Sequence, residues 1–81
     1  MKKSILILGA CGQIGTELTL ALREKYGDEN VVASDIREGS GPLMQSGPFE
    51  LLDATDYSAI EDVVMHYEIG EVYLMAAMLS A

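Results

Sequence analysis

The chain has 81 residues, of which 49% are hydrophobic and 22% are charged, a composition typical of one small globular domain. Thirteen Asp and Glu residues against five Lys and Arg residues give a net charge of −8, which excludes the basic surface that nucleic acids and anionic membranes require. Cys11 is the only cysteine in the sequence, so an internal disulfide is impossible and a reducing compartment, the cytoplasm, is expected.

The N-terminal apolar run, residues 4–8, resembles a short secretion signal that ends before Cys11. Its five residues fall short of the roughly seven to fifteen that a signal peptide needs. No run approaches the roughly 20 apolar residues of a membrane-spanning helix. We therefore interpret residues 4–8 as a strand that is buried on both faces of a parallel sheet.

The hydrophobic period changes after this strand and predicts an amphipathic helix from Gln13 to Tyr26, which Gly27 ends. The side expected to be buried carries Ile14, Leu18, Ala21, Leu22 and Lys25, whereas Glu17, Arg23 and Glu24 are expected to point elsewhere.

Three further strands and one further helix follow. The strands are predicted at residues 31–35, 49–52 and 71–75, and Gly, Ser and Pro residues make 39–48 a loop. The helix is capped by Thr55 or Asp56, runs to about Tyr67 and is closed by Gly70.

The resulting order, β-α-β-loop-β-α-β, predicts an α/β fold with a Rossmann-type parallel sheet in the strand order 3-2-1-4. The order reverses between strands 1 and 4, which places a crevice at their carboxyl ends. Strand 4 is expected to be an unprotected edge that is apolar on both faces. We therefore expect residues 1–81 to be the first half of such a fold, an N-terminal NAD-binding portion without its catalytic and substrate-binding remainder.

Glycines at three-residue spacing, Gly9, Gly12 and Gly15, lie between the first strand and the first helix. Gly9 is expected to permit the tight turn, Gly12 to leave room for a pyrophosphate, and Gly15 to let the helix pack closely. The amides and the dipole at the helix N-terminus favour phosphate there. The alternative is a glycine-rich turn that holds no ligand.

Asp35 ends the second strand, twenty residues after Gly15, where a carboxylate can accept hydrogen bonds from both hydroxyls of an adenosine ribose. Its negative charge favours NAD over NADP. Arg37 is able to pair with a 2′-phosphate, although an arginine here more often covers adenine or faces solvent.

The spacing Gly-x-x-Gly-x-x-Gly, Leu52-Asp53 after the third strand and the segment Glu71–Ala77 resemble the extended short-chain dehydrogenase/reductase family. Within it, residues 5–15 and 75–81 are most similar to the epimerase-like L-threonine 3-dehydrogenases. The resemblance implies NAD as cofactor and a small-molecule substrate, L-threonine, which is oxidised to 2-amino-3-ketobutyrate. It also implies a homodimeric parent protein.

The same resemblance implies which residues bind. Gly9, Gly12, Gln13, Ile14 and Gly15 would hold the pyrophosphate, Asp35, Ile36 and Arg37 the adenosine, Leu52, Asp53 and Ala54 the adenine side, and Met75, Ala76 and Ala77 the rest of the cofactor. Ser80 would lie close to the nicotinamide and the amino-acid substrate.

The residues that take the hydroxyl proton in the family, a serine or threonine and a Tyr-x-x-x-Lys pair, have no counterpart in residues 1–81, so no catalytic residue is assigned. Two alternatives remain open: an NAD-dependent nucleotide-sugar epimerase or dehydratase, and a non-catalytic dinucleotide sensor.

Two other residues carry chemistry. Cys11 precedes a helix, where the dipole would lower its pKa, but without a neighbouring base we interpret it as a small residue beside the phosphates. His66 lies late in a helix with no second ligand at metal spacing, so no metal site is predicted.

Overall fold

Strands and helices alternate along residues 3–75, which are the residues that the computed structural model describes. No helix in this range is long and apolar enough to cross a membrane. The strands are β1 (Ile5–Leu8), β2 (Val31–Asp35), β3 (Phe49–Leu51) and β4 (Glu71–Leu74), and the helices are α1 (Gln13–Tyr26), α2 (Pro42–Gln45) and α3 (Tyr57–Tyr67).

The four strands form one parallel sheet in the order β3-β2-β1-β4, which confirms the predicted topology. In the register of the sheet, Ile5 of β1 lies between Val31 of β2 and Glu71 of β4. The carboxyl ends of β1, β2 and β4 therefore lie along one edge of the sheet, where the predicted site residues are concentrated.

Every residue of β1 is buried, because each face of the sheet is covered by a helix. On the α1 side the buried cluster is Ile5, Ile7, Ala10, Val31, Ala33 and Leu43. On the α3 side it is Leu6, Leu8, Val32 and Leu52. The unbroken apolar run thus reflects burial on both faces, as expected for a central parallel strand.

The predicted buried side of α1 is wrong in part. Ile14 is 69% exposed, and Ala21 and Lys25 are also exposed. The buried row is Gly15, Thr19 and Arg23, four residues apart, with Leu18 and Leu22 packed beside it. The expectation failed because a charged side chain was assumed to face solvent, whereas Arg23 finds hydrogen-bond partners inside the protein.

The predicted loop at residues 39–48 contains the short helix α2, so the loop assignment was also incomplete. Pro42 occupies the first turn of this helix, where its missing amide hydrogen costs nothing, and Gly41 before it has φ +61°. Leu43 projects from α2 into the core. The burial of this side chain helps to hold a single helical turn whose composition resembles a loop.

Helix α3 begins at the predicted Asp56, whose Oδ1 accepts a hydrogen bond from the amide of Ala59 at 3.1 Å. Its end at Tyr67 confirms the prediction, but Gly70 is not the residue that closes it. The left-handed residue is Glu68, with φ +55°, and the amide of Ile69 donates back to the carbonyl of Val64 at 2.9 Å. Ile69 is half-buried and packs against the α3-side core, which favours closure at Glu68 in a Schellman motif.

Candidate nucleotide-binding site

The glycine-rich loop, residues 9–12 between β1 and α1, is attached to the end of β2 by backbone hydrogen bonds. The amides of Gly9 and Ala10 both donate to the carbonyl of Ser34, at 2.9 and 2.8 Å. Gly9 has φ +87°, a conformation that side chains disfavour, which is the tight turn expected there. The turn and the two bonds place the loop directly above the carboxyl ends of β1 and β2.

The other two glycines of the motif have different surroundings. A Cβ at Gly15 would lie 2.5 Å from the carbonyl oxygen of Gly9, so only glycine permits this contact between helix and loop. A Cβ at Gly12 would meet nothing within 4 Å among the described residues beyond its chain neighbours. Packing within residues 3–75 therefore accounts for Gly15 but gives no reason for glycine at position 12.

The N-terminus of α1 is open to a ligand. No side chain within residues 3–75 caps it, and no acidic residue lies in its first turn. The amide of Thr16 is bonded to the carbonyl of Gly12, while the amides before it have no partner within the helix. The amides of Gln13 and Ile14 therefore remain available beside the empty space over Gly12, an arrangement that suits an anionic phosphate.

Asp35 is held at the end of β2 by two backbone amides. Its Oδ2 accepts a hydrogen bond from Cys11 at 2.9 Å, and its Oδ1 accepts one from Ile36 at 2.7 Å. No lysine or arginine within residues 3–75 forms a salt bridge with it. A carboxylate has about four lone-pair positions, so this one is fixed in place and still able to accept from two hydroxyls.

The thiol of Cys11 differs from its predicted state. Its pKa is raised, first by burial and then by the negative charge of Asp35, whereas the helix dipole was expected to lower it. Cys11 precedes the helix cap at Gly12, and its Sγ donates to the carbonyl of Arg37 at 3.3 Å. The raised pKa and the contact with Arg37 favour the interpretation of Cys11 as a small packing residue.

A cavity of about 310 Å³ opens between this loop and the segment that follows β2. Its volume is in the range of small-molecule pockets. The lining residues are Cys11, Thr16, Arg37, Glu38, Gly39, Ser40 and Leu43.

The segment after β3 lies beside Asp35. The amide of Leu52 donates to the carbonyl of Asp35 at 2.8 Å. Asp53 is exposed, and its Oδ1 accepts from the amide and the hydroxyl of Thr55, at 2.8 and 2.7 Å, which lowers the pKa of Asp53. Ala54 packs against the α3-side core. The predicted adenosine residues thus come from the ends of two strands that pair in the sheet.

Some predicted residues are placed only in part. The amide of Met75 donates to the carbonyl of Leu8 at 2.8 Å, which sets Met75 beside the glycine-rich loop. Ala76, Ala77 and Ser80 lie outside the described residues. Ile36 and Arg37 are exposed next to Asp35.

Sequence reasoning missed three polar residues that hold this site together. Thr16 Oγ1 donates to the carbonyl of Ala10 at 2.9 Å, and Ser34 Oγ donates to the carbonyl of Ile7 at 2.7 Å. Arg23 binds the segment that carries the cavity wall. A polar residue one position after Gly15 was the only signal for Thr16, and no local signal pointed to Arg23.

His66 lies away from this edge of the sheet, in a second cavity of about 410 Å³ with Glu50, Asp62, Val63 and Tyr67. Its ring packs edge-on against Tyr67 with centroids 4.8 Å apart. Within residues 3–75, no three His, Cys, Asp or Glu residues are grouped so that they could hold a metal ion.

Residues 5–81 match the model of the NAD dependent epimerase/dehydratase family. An uncharacterized epimerase/dehydratase of Staphylococcus aureus strain USA300 is 50% identical over 80 residues, which are 98% of this chain and 25% of that protein. The chain thus spans about a quarter of the length of the curated relatives it matches.

Solved structures of related enzymes share the fold of this chain. An L-threonine dehydrogenase from Clostridium difficile superposes with a TM-score of 0.84 and 43% identity, over 90% of this chain and 23% of that one. The holo form of a GalE-like L-threonine dehydrogenase from Cupriavidus necator gives 0.82 and 45%, over 90% and 23%. Both the fold and the family description support a nicotinamide dinucleotide as cofactor, and the chain belongs to the NAD dependent epimerase/dehydratase family.

Proposed function

We propose that residues 1–81 are the N-terminal NAD-binding portion of an oxidoreductase that converts L-threonine and NAD to 2-amino-3-ketobutyrate and NADH. The catalytic and substrate-binding remainder lies outside these residues. The observation that carries the proposal is the hydrogen bond between the amide of Cys11 and Asp35, because it joins the open helix N-terminus to the acidic end of β2. The similarity to L-threonine dehydrogenases supports the substrate.

The pyrophosphate would lie over Gly12, on the amides of Gln13 and Ile14. The space that a Cβ at Gly12 would enter is free of described protein atoms, which is what close approach of a phosphate requires. Gly9 and Gly15 would determine the conformation of the loop and need not contact the ligand.

The adenosine would lie across the ends of β2 and β3. Asp35 would accept hydrogen bonds from the ribose hydroxyls, and its charge would disfavour the 2′-phosphate of NADP. The adenine ring would lie between two short segments, Ile36-Arg37 and Leu52–Ala54. The exposure of Ile36, at 73%, gives an apolar surface for the ring.

By the resemblance, the nicotinamide end would follow β4, with Met75, Ala76 and Ala77 as cofactor-binding residues and Ser80 as the substrate-binding residue. NAD, when bound, would accept a hydride from the carbon that carries the threonine 3-hydroxyl. Among residues 1–81 we assign no group that takes the hydroxyl proton.

Substitution of Gly12 by valine tests the pyrophosphate position. The backbone at Gly12 (φ −70°, ψ 171°) suits a β-branched residue, and no described atom opposes the new side chain, so the fold should be kept. The affinity for NADH, measured by fluorescence titration, is expected to fall by about two orders of magnitude, roughly 2.7 kcal/mol.

Gly70→Ala is the matched control, because its new Cβ would make only an ordinary contact, 3.8 Å from the carbonyl of Ser4. It should leave the NADH affinity unchanged. Unchanged affinity in Gly12→Val with a native circular dichroism spectrum would contradict the proposed position of the pyrophosphate.

A second candidate is NAD-dependent epimerisation or dehydration of a nucleotide sugar, which the description of the Staphylococcus aureus relatives favours. The full chain should be assayed for NADH formation with L-threonine and for conversion of UDP-glucose and UDP-galactose. Oxidation of L-threonine alone supports the first candidate, and turnover of a nucleotide sugar supports the second. Binding of NADH without turnover of any of them would favour a dinucleotide sensor. A homodimer in the cytoplasm is part of the proposal: the resemblance suggests the dimer, and the single cysteine, Cys11, suggests the reducing compartment.

A further inference from the structure

Arg23 is almost fully buried, with 2% of its surface exposed, yet it lies far from the loop that would hold the phosphates. Within residues 3–75 it forms no salt bridge. Its guanidinium donates to the carbonyls of Val31 at 3.1 Å, Leu43 at 2.7 Å and Pro48 at 2.6 Å, and to the hydroxyl of Ser46 at 3.0 Å.

Three of these four bonds go to one segment, residues 36–48 between β2 and β3, named here the β2–β3 connection. This connection has only one helical turn of its own, α2. The other polar bonds within residues 3–75 that tie it to the sheet or to the glycine-rich loop are three: from Cys11 Sγ to the carbonyl of Arg37, from the amide of Ala33 to the carbonyl of Pro48, and from the amide of Ile36 to the adjacent Asp35. Arg23 therefore supplies half of the polar attachment of the connection, more than any other residue.

The backbone of the connection is shaped around the guanidinium. A Cβ at Gly47 would lie 2.6 Å from Nε and 2.8 Å from Cζ of Arg23. The same Cβ would lie 2.6 Å from the carbonyl oxygen of Asp28, so only glycine allows the chain to pass this close to both groups. This close contact and the four hydrogen bonds form a binding site that is specific for arginine. A lysine could not donate the same set of hydrogen bonds in this geometry.

The same connection forms one wall of the 310 Å³ cavity, through Arg37 to Ser40 and Leu43. Leu43 links the wall to Arg23, because its carbonyl accepts from the guanidinium while its side chain is buried in the α1-side core. A Cβ at Gly39 would lie 2.7 Å from Leu43 Cδ2 and 3.3 Å from Cys11 Sγ. The wall is thus packed tightly on Leu43 and on the residue that binds Asp35.

We propose that Arg23 is a positioning residue, which fixes the wall beside Asp35 through Leu43 and thereby sets the affinity for the dinucleotide and the preference for NAD over NADP. The inference rests on the proposed function for its ligand. Arg23 touches no part of the nucleotide site itself. With the wall fixed, the ribose is confined next to Asp35. With the wall released, Arg37 and Ser40 are free to move toward a 2′-phosphate.

The test replaces Arg23 by methionine in the full chain, which keeps most of the length of the side chain and removes every donor. Two quantities are measured: the ratio of the NADH and NADPH affinities, and the rate at which iodoacetamide alkylates Cys11, followed on its peptide by mass spectrometry. We expect the ratio to fall about tenfold and the alkylation rate to rise about as much. Tyr67→Phe, which loses one hydrogen bond on the opposite face of the sheet, should change neither.

Ser46→Ala is the milder second variant, because it removes one bond of the four and leaves the core intact. It should shift both quantities in the same direction by a smaller factor. Unchanged alkylation of Cys11 in both variants would overturn the positioning role. If the unsubstituted chain bound neither nucleotide, the proposed function would fail, while the alkylation rate would still decide whether Arg23 holds the wall.

Discussion

At the scale of single residues, the site depends on groups whose positions are fixed before any ligand binds. Asp35 is oriented by the amides of Cys11 and Ile36, so its carboxylate does not have to be ordered by a ribose. Such preorganisation lowers the entropy cost of binding. The sequence could place Asp35 at the end of a strand, but its two donors depend on the fold and could not be predicted.

Asp35→Asn tests the role of the charge. The amide oxygen of asparagine can still accept from Cys11 and hold the loop in place, but the bond from the amide of Ile36 is lost, together with the repulsion of a 2′-phosphate. The preference for NADH over NADPH is expected to narrow by about tenfold, roughly 1.4 kcal/mol, in paired titrations. The control is Asp62→Asn on the exposed side of α3, which makes the same change in charge. It should leave the preference for NADH over NADPH unchanged. An equal loss of affinity for both nucleotides would rule out discrimination by this carboxylate.

At the scale of elements, the hydrophobic pattern of the sequence predicted both ends of α1 and of β2 correctly. It placed the ends of the other strands to within one residue. It missed α2, whose single turn has no periodicity to detect. The end of α3 at Tyr67 is also confirmed, but the closing residue is wrong, because a left-handed Glu68 is rare and Gly70 offered a better local signal. These errors arise where a tertiary contact, such as the burial of Leu43 or the packing of Ile69 on the core, overrides local preference.

The contact between α3 and the edge strand β3 makes a pH-dependent contribution. Tyr67 donates to Glu50 Oε2 at 2.6 Å, and this bond raises the pKa of Tyr67 from 10.0 to about 12. A raised tyrosine pKa stabilises the fold below about pH 10, and the contribution is lost as the pH rises through about 12. Tyr67→Phe should lower the free energy of unfolding by about 1 kcal/mol at neutral pH.

Urea unfolding of both proteins across this range gives the check. The difference between them should stay constant up to about pH 10 and shrink toward pH 12. Tyr57→Phe, at a tyrosine that is 81% exposed, should show little difference at any pH. A Tyr67→Phe difference as large at pH 12 as at neutral pH would mean that the hydroxyl bond is not its source.

At the scale of the whole molecule, an acidic protein is proposed to bind an anionic dinucleotide. The net charge of residues 1–81 is −8, so an approaching NADH meets repulsion within the Debye length, which is longest in dilute buffer. Attraction begins only at the site, where helix amides and the dipole of α1 act over one turn. The long-range and short-range electrostatic effects on binding therefore have opposite signs.

This opposition predicts an unusual salt dependence for NADH. Raising the ionic strength from about 20 to about 200 mM screens the long-range repulsion and leaves the amide contacts almost untouched, so the association rate should rise, by about twofold. Adenosine, which is uncharged, should associate at the same rate throughout in the same stopped-flow experiment. A site that held the phosphates with lysine and arginine would instead lose affinity steeply over this range, because salt would compete with each basic contact. A steep loss of NADH affinity here would therefore indicate that basic side chains such as Arg37, and not the amides of α1, bind the phosphates.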